Sequence, residues 1–115
     1  MANTVPYSAS LRVKDQLFIS GQIGRIPEKG LLANESFEAE VKQVMENLHT
    51  QLKAHQLTFD DLVSTVIYLK DMKNYDLLNK VYGSFFNDKF PTRTCIAVAD
   101  LPAGASVEIS GIATF

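Results

Sequence analysis

The sequence predicts an α+β sandwich in which two amphipathic helices cover one face of a mixed sheet. Three observations carry this reading. Strand-like and helix-like periodicities alternate along 115 residues in the order ββ, α, β, α, ββ. Each helical stretch has a single apolar stripe. The candidate strands at 62–69, 95–99 and 107–115 carry apolar residues on both parities, so both sheet faces should leave water although two helices can cover only one. Self-association over the second face is the economical answer.

Length and composition set the frame. A chain of 115 residues fits one domain, spanning 1–115, with one core and no internal boundary. With 46% hydrophobic and 21% charged residues, four prolines and six glycines, it reads as an ordinary globular chain rather than a disordered one. No apolar run approaches a membrane span, and Met1-Ala2-Asn3-Thr4-Val5 lacks the charged start and apolar core of a signal peptide, so a soluble, cytoplasmic protein is expected. A net charge of −2 with scattered Lys and Arg disfavours nucleic acid, which needs a basic face. The single cysteine excludes an internal disulfide and a cysteine-cluster metal site. His49 and His55 lie off the i, i+4 spacing of helical metal ligands, so no metal is implied.

Along the chain, Leu11-Arg12-Val13-Lys14 and the stretch from Gln16 to Gly24 read as two short antiparallel strands around the Lys14-Asp15 turn. The second carries Ser20-Gly21-Gln22, where a glycine lets the backbone approach a ligand and leaves its amide available; such a glycine also marks a plain bulge or turn. Residues 25–34, with Pro27, Gly30 and Asn34, form a surface loop. From Glu35 to about Gln56, Phe37, Val41, Val44, Leu48 and Leu52 follow helical steps opposite Glu38, Lys42, Glu46 and Lys53. His49 and His55 fall at solvent or boundary positions of this helix. The run from Leu62 to Leu69 is β-branched and apolar on both parities, a central strand. A second helix, roughly 72–87 with Asp71 or Asn74 as its cap, presents Tyr75, Leu78, Tyr82 and Phe85 as a core-packing stripe.

The stretch 90–109 is where chemistry concentrates. Arg93 opens the apolar run Cys95-Ile96-Ala97-Val98-Ala99, and Glu108 lies inside Val107-Glu108-Ile109, with turn-rich Asp100-Leu101-Pro102-Ala103-Gly104 between. The pattern predicts a β-hairpin. An arginine and a glutamate on such strands are costly to desolvate unless they pair with each other, sit at an exposed edge, or bind something. Symmetric folding about Pro102-Ala103 puts Glu108 near Ala97, about 13 Å along the strand from Arg93 at ~3.3 Å per residue. One small substrate cannot bridge that distance. A cleft between two copies, bringing Glu108 of one chain toward Arg93 of the next, removes the difficulty.

Pro91-Thr92-Arg93-Thr94-Cys95, Leu101-Pro102-Ala103-Gly104-Ala105 and Val107-Glu108-Ile109 resemble, in order and spacing, the C-terminal signature of the RidA (YjgF-type) family of imine and enamine deaminases. Ser20-Gly21-Gln22, Tyr7 and the Asp71-Met72, Tyr75, Asn79, Val81-Tyr82, Phe85-Phe86 pattern extend the likeness over nearly the whole chain, with Val5 standing where the family usually has glycine. The resemblance implies a chorismate-mutase-like sandwich with a mixed six-stranded sheet, two helices on one face, and a homotrimer with a central β-barrel and clefts between subunits. It further implies cofactor-independent hydrolysis of 2-imino acids and their 2-aminoacrylate-type enamines to 2-oxo acids and ammonia.

The residues suit that reaction. The Arg93 guanidinium can hold a planar carboxylate bidentately, Glu108 can orient and deprotonate a water, and Tyr7 can share the water network. Ser20, Gly21 and Cys95 would line the substrate site, with backbone amides near Gly21 and Cys95 completing it. Cys95 has no recognisable histidine partner and reads as a lining or packing residue rather than a nucleophile. The rival reading, from another class, is a regulatory trimer that binds small carboxylates without turnover; it would keep Arg93 and could dispense with Glu108 and Tyr7.

Overall fold

A computed structural model describes residues 5–115. Of the stretch on which the absence of a leader was read, Met1 to Thr4 lie outside the described residues. Strands β1 (Ser10–Val13) and β2 (Gln16–Gln22) form an antiparallel pair, followed by the two-residue strands β3 (Arg25–Ile26) and β4 (Leu31–Leu32). Helix α1 (Phe37–Lys53), interior strand β5 (Leu62–Leu69), helix α2 (Tyr75–Gly83), β6 (Thr92–Ala97) and β7 (Val107–Thr114) complete the chain. The main sheet has the order β1-β2-β7-β5-β6, and only the β5–β6 pair is parallel. The mixed sheet with two helices is the α+β architecture that the periodicities predict.

The helices share one face of the sheet because only one parity of each central strand points at them. Leu17 and Ile19 of β2, Ile67 and Leu69 of β5, and Val107, Ile109 and Ala113 of β7 are buried against Val41, Val44, Met45, Leu48 and Leu52 of α1 and Leu78, Val81 and Tyr82 of α2. Helix α1 begins where Ser36 Oγ accepts from the Ala39 N–H at 3.0 Å. Asp71 caps a 3-10 turn ahead of α2 by accepting from the Lys73 N–H at 2.9 Å, whereas Asn74 makes no side-chain cap. Helix α2 stops at Gly83, short of the expected Asn87, because Ser84, Phe85 and Phe86 donate three residues back rather than four. His49 stacks on Phe59 and His55 meets the Phe115 edge, both at the boundary with solvent. Among the described residues, no helix is long and apolar enough to cross a membrane.

Two expectations are corrected. The main sheet has five strands, not six, because β3 and β4 pair only with each other. A tight turn closes them, with Lys29 and Gly30 both donating to Ile26 O and Gly30 at φ 69°, and Asn47 Nδ2 donates to Ile23 O and Arg25 O at 2.9 Å. Those carbonyls are thereby satisfied without another strand. The second correction concerns the predicted hairpin. Strands β6 and β7 do not pair; β5 lies between them, parallel to one and antiparallel to the other. Their connection spans nine residues, 98–106, beyond the length of a tight hairpin loop, and passes around the end of β5, where Lys70 N donates to Ser106 O and Val98 N to Leu69 O.

The sheet face away from the helices stays open in the single chain. Leu11, Phe18 and Ile96 on it are 56%, 39% and 42% exposed, on β1, β2 and β6. An apolar surface running across so much of a sheet is rarely left to water.

Candidate active site

At the end of the sheet, the rims of β2 and β7 enclose a cleft of about 720 Å³ that contains Tyr7, Ser20, Gly21, Gln22, Pro102 and Glu108. Four of the residues expected from the sequence therefore share one site. The antiparallel pairing of β2 with β7 slips between Ile19 and Gln22, so that Ser20 and Gly21 bulge out of the ladder toward Glu108. Gly21 leaves the space that the Glu108 carboxyl occupies: a Cβ on it would overlap Glu108 Oε2 and lie 2.8 Å from the carboxyl carbon, so a larger residue would displace that carboxyl. Ser20 fastens the neighbouring wall. Its Oγ donates to Ser8 O at 2.6 Å and its N–H to Ala9 O at 2.9 Å, which holds the segment after the exposed Tyr7 beside the bulge.

Glu108 is half-buried, opposite Tyr68 of β5, and among the described residues no ion pair involves it. Burial raises its carboxyl pKa above the ordinary 4.5. A partly desolvated carboxylate without a cation to neutralise it is a stronger proton acceptor than an ordinary surface glutamate.

Arg93 and Cys95 are elsewhere. Arg93 is level with Thr65 of β5, whose buried Oγ1 shares a 2.8 Å hydrogen bond with Tyr82 OH of α2, so both point to the helix side. Glu108, alternating with buried Val107 and Ile109, points to the opposite side. With β5 between their strands and a three-residue offset, their Cα atoms are on the order of 14 Å apart, from ~3.3 Å per residue and ~4.8 Å per strand. An internal Arg93–Glu108 salt bridge is thereby ruled out. Arg93 Nη2 donates to Tyr75 OH at 3.1 Å, and its guanidinium carbon lies 5.5 and 5.4 Å from the Tyr75 and Tyr82 ring centroids. Tyr75, expected in the core stripe, is instead 39% exposed, because α2 turns it toward the sheet edge where it receives the arginine. No carboxylate among the described residues forms an ion pair with Arg93. It borders a smaller pocket of about 290 Å³ with Asn79, Tyr82, Gly83, Phe90 and Pro91.

Cys95, two residues on, faces the same side and packs against the core. Burial pushes its thiol pKa up, more than the Arg93 charge pulls it down, so the thiol stays protonated and a poor nucleophile. Cys95→Ala is expected to keep activity within about threefold of wild type, measured as ammonia release; a loss of several powers of ten would restore covalent catalysis. The α1 side of the larger cleft was not expected from the sequence. Asn47, Thr50 and Gln51 line it, and their polar interruption of one helix flank was the available signal.

Two helices layered on a mixed sheet, with Glu108 half-buried in a cleft at the strand ends, define a small α+β sandwich with a candidate small-ligand site. The chain belongs to the RidA (YjgF-type) family, whose model, described as endoribonuclease L-PSP, matches residues 1–115. It is 37% identical over 109 residues to Reactive Intermediate Deaminase A, chloroplastic, of Arabidopsis thaliana, covering 95% of this chain but 58% of the plant protein. To the 2-iminobutanoate/2-iminopropanoate deaminase of Homo sapiens it is 36% identical over 108 residues, covering 94% of this chain and 79% of that one. The crystal structure of RidA from the Antarctic bacterium Psychrobacter sp. PAMC 21119 superposes with a TM-score of 0.93 at 33% identity, covering 99% of this chain and 92% of that chain.

Proposed function

We propose that this protein is a hydrolytic deaminase that converts 2-imino acids and their enamine tautomers to 2-oxo acids and ammonia without a cofactor. The observation that carries the reading is Glu108: a half-buried carboxylate with a raised pKa and no ion-pair partner among the described residues, held against Gly21 in an open cleft. The deaminase names of the plant and human relatives support it.

The proposed site is completed by a second copy. Arg93 of the partner subunit binds the substrate carboxylate with its two-donor fork and fixes the imine carbon over Glu108. Glu108 takes a proton from water as the water oxygen attacks C2, and the C=N π electrons move to nitrogen. The same carboxyl then returns its proton to that nitrogen. Glu108 then takes the hydroxyl proton of the tetrahedral carbinolamine and passes it to the amino nitrogen, so that the C=O bond forms as the C–N bond breaks and neutral ammonia leaves behind a 2-oxo acid. Tyr7 orders the water, Ser20 and Gly21 line the site from the same copy and Cys95 of the partner subunit lines it beside Arg93 of the partner subunit, and the single domain acts in the cytoplasm. Following ammonia and 2-oxo acid release from imines generated in situ by an amino-acid oxidase tests the proposal. Binding of 2-oxo acids with no release above the uncatalysed rate would leave a regulatory carboxylate-binding protein in its place.

The open apolar face supports assembly as a homotrimer. Light scattering coupled to size exclusion at micromolar concentration should give three times the 12.8 kDa chain mass, and a stable monomer would remove the shared site. The pH profile offers a separate check. Glu108 must be ionised to accept a proton, so kcat/KM is expected to fall on the acid side through its pKa, with a midpoint above the 4.5 of an ordinary glutamate. An acid limb at or below that value would assign the base to another group.

A further inference from the structure

A second carboxylate, outside the proposed chemistry, sits behind the cleft, between the segment that precedes Glu108 and the segment that follows Gly21. Glu40, near the start of α1, is only 2% exposed, and its Oε2 accepts from the Ser106 N–H at 2.7 Å. Ser106 immediately precedes β7, and its carbonyl is held in turn by the Lys70 N–H at 3.0 Å, so both of its backbone polar groups are committed. On the other side lies Gly24, three residues beyond Gly21. A Cβ on Gly24 would stand 2.8 Å from Glu40 Cγ and 2.9 Å from Glu40 O, so the backbone at 24 lies flush against this residue. One side chain is thus wedged between the segment leading into Glu108 and the segment leaving Gly21. Burying a carboxylate is costly, and an apolar side chain of similar size would fill the space without that cost. What an apolar side chain cannot do is accept from the Ser106 N–H, as Glu40 Oε2 does at 2.7 Å.

We infer that Glu40 is a positioning residue for Glu108: it pins the backbone two residues before the base and sets the spacing between the β7 wall and the Gly21 wall. This rests on the reading of Glu108 as the general base. Glu40 itself is on the helix side of the sheet and touches no substrate. Its action is geometric, through the entry angle of β7, and a displacement of about 1 Å at a reacting group can cost on the order of 10²-fold in rate.

The test compares Glu40→Gln with Glu40→Ala in the full chain, assayed well below the melting temperature of each. The amide retains an oxygen that accepts from Ser106, and its kcat is expected within about threefold of wild type. The alanine variant releases the Ser106 N–H, and its kcat is expected to fall about 10- to 100-fold with KM changed less than about threefold, because Arg93 of the partner subunit still binds the carboxylate. Should the alanine variant fail to fold, Glu40→Asp, which keeps the charge but is one methylene shorter, takes its place with the same expectation. The second readout is the titration of the Glu108 carboxyl by 13C NMR: wild-type-like in Glu40→Gln, shifted down toward the ordinary glutamate value in the alanine or aspartate variant as the cleft loosens. A variant lacking the bond that melts earlier, yet keeps wild-type kcat and an unmoved Glu108 titration, would overturn the inference and leave Glu40 a purely structural residue. Because the titration needs no turnover, it separates the two readings. If Glu108→Gln proved active, the base assignment would fall, while a Glu108 titration that moves with Glu40 would still support the positioning.

Discussion

Glu108→Gln is expected to fold normally and to lose about 10²- to 10⁴-fold in kcat, the range general-base catalysis supplies. The amide keeps the shape that fits against Gly21 but cannot take a proton from water. Stability should move the other way or not at all. The folded-state pKa of Glu108 is raised by burial, so its favourable contribution is fully present below the unfolded value and is lost as pH rises through the folded one. At neutral pH the wild-type carboxylate therefore carries a desolvation cost that glutamine lacks, and the variant's Tm is expected to equal or exceed that of the wild type. Calorimetry and steady-state ammonia release on the same preparations check both halves. Wild-type turnover in the variant would remove Glu108 as the base.

Arg93→Lys is expected to fail nearly as badly as Arg93→Ala, each losing about 10²- to 10³-fold in kcat/KM, or ~3 to 4 kcal/mol of transition-state binding. Lysine keeps the charge but not the planar fork. With no carboxylate in an ion pair with Arg93 among the described residues, neither variant breaks a salt bridge, so large losses of Tm are not expected. What is lost in the folded state is the hydrogen bond to Tyr75 OH and the stacking near Tyr75 and Tyr82. An active lysine variant would withdraw the bidentate role. The placement of Arg93 and Glu108 on opposite sides of the sheet adds a sharper measurement. If each site takes its arginine from one copy and its glutamate from the next, mixing inactive Arg93→Ala with inactive Glu108→Gln and letting subunits exchange restores about a quarter of the sites. No recovery after demonstrated exchange would exclude the shared site.

Much of the architecture was legible in the residues. The stripe Val41, Val44, Leu48, Leu52 is buried as its spacing requires, and the run from Leu62 to Leu69 is an interior strand between β7 and β6, one place from the centre that its apolar character on both parities predicted. Tyr7, Ser20, Gly21 and Glu108 were singled out by type and motif, and they line one cleft. Glu40 was missed because a glutamate near a helix N-terminus reads as a solvated first-turn acid favoured by the helix dipole. Its burial depends on Ser106 and Gly24, which are remote from it in the chain.

The amino-acid sequence by itself determined the two helices, the five strands of the main sheet, their order, the α+β class and the types of residue able to do imine chemistry, since these depend on local periodicity and on side-chain functional groups; the short strands β3 and β4 lie in a stretch that reads as a surface loop. Strand pairing was decided only in three dimensions. Alternation shows that Arg93 and Cys95 share a face of β6, but the same alternation suits β7 or β5 as the neighbour, and residues apolar on both parities hide which face meets the helices. The insertion of β5 between β6 and β7 turned an expected hairpin into a crossover, and it left Arg93 beside α2 and Glu108 on the opposite face. Pairing is a long-range choice made by the burial of the whole sheet, and no window of sequence contains both partners.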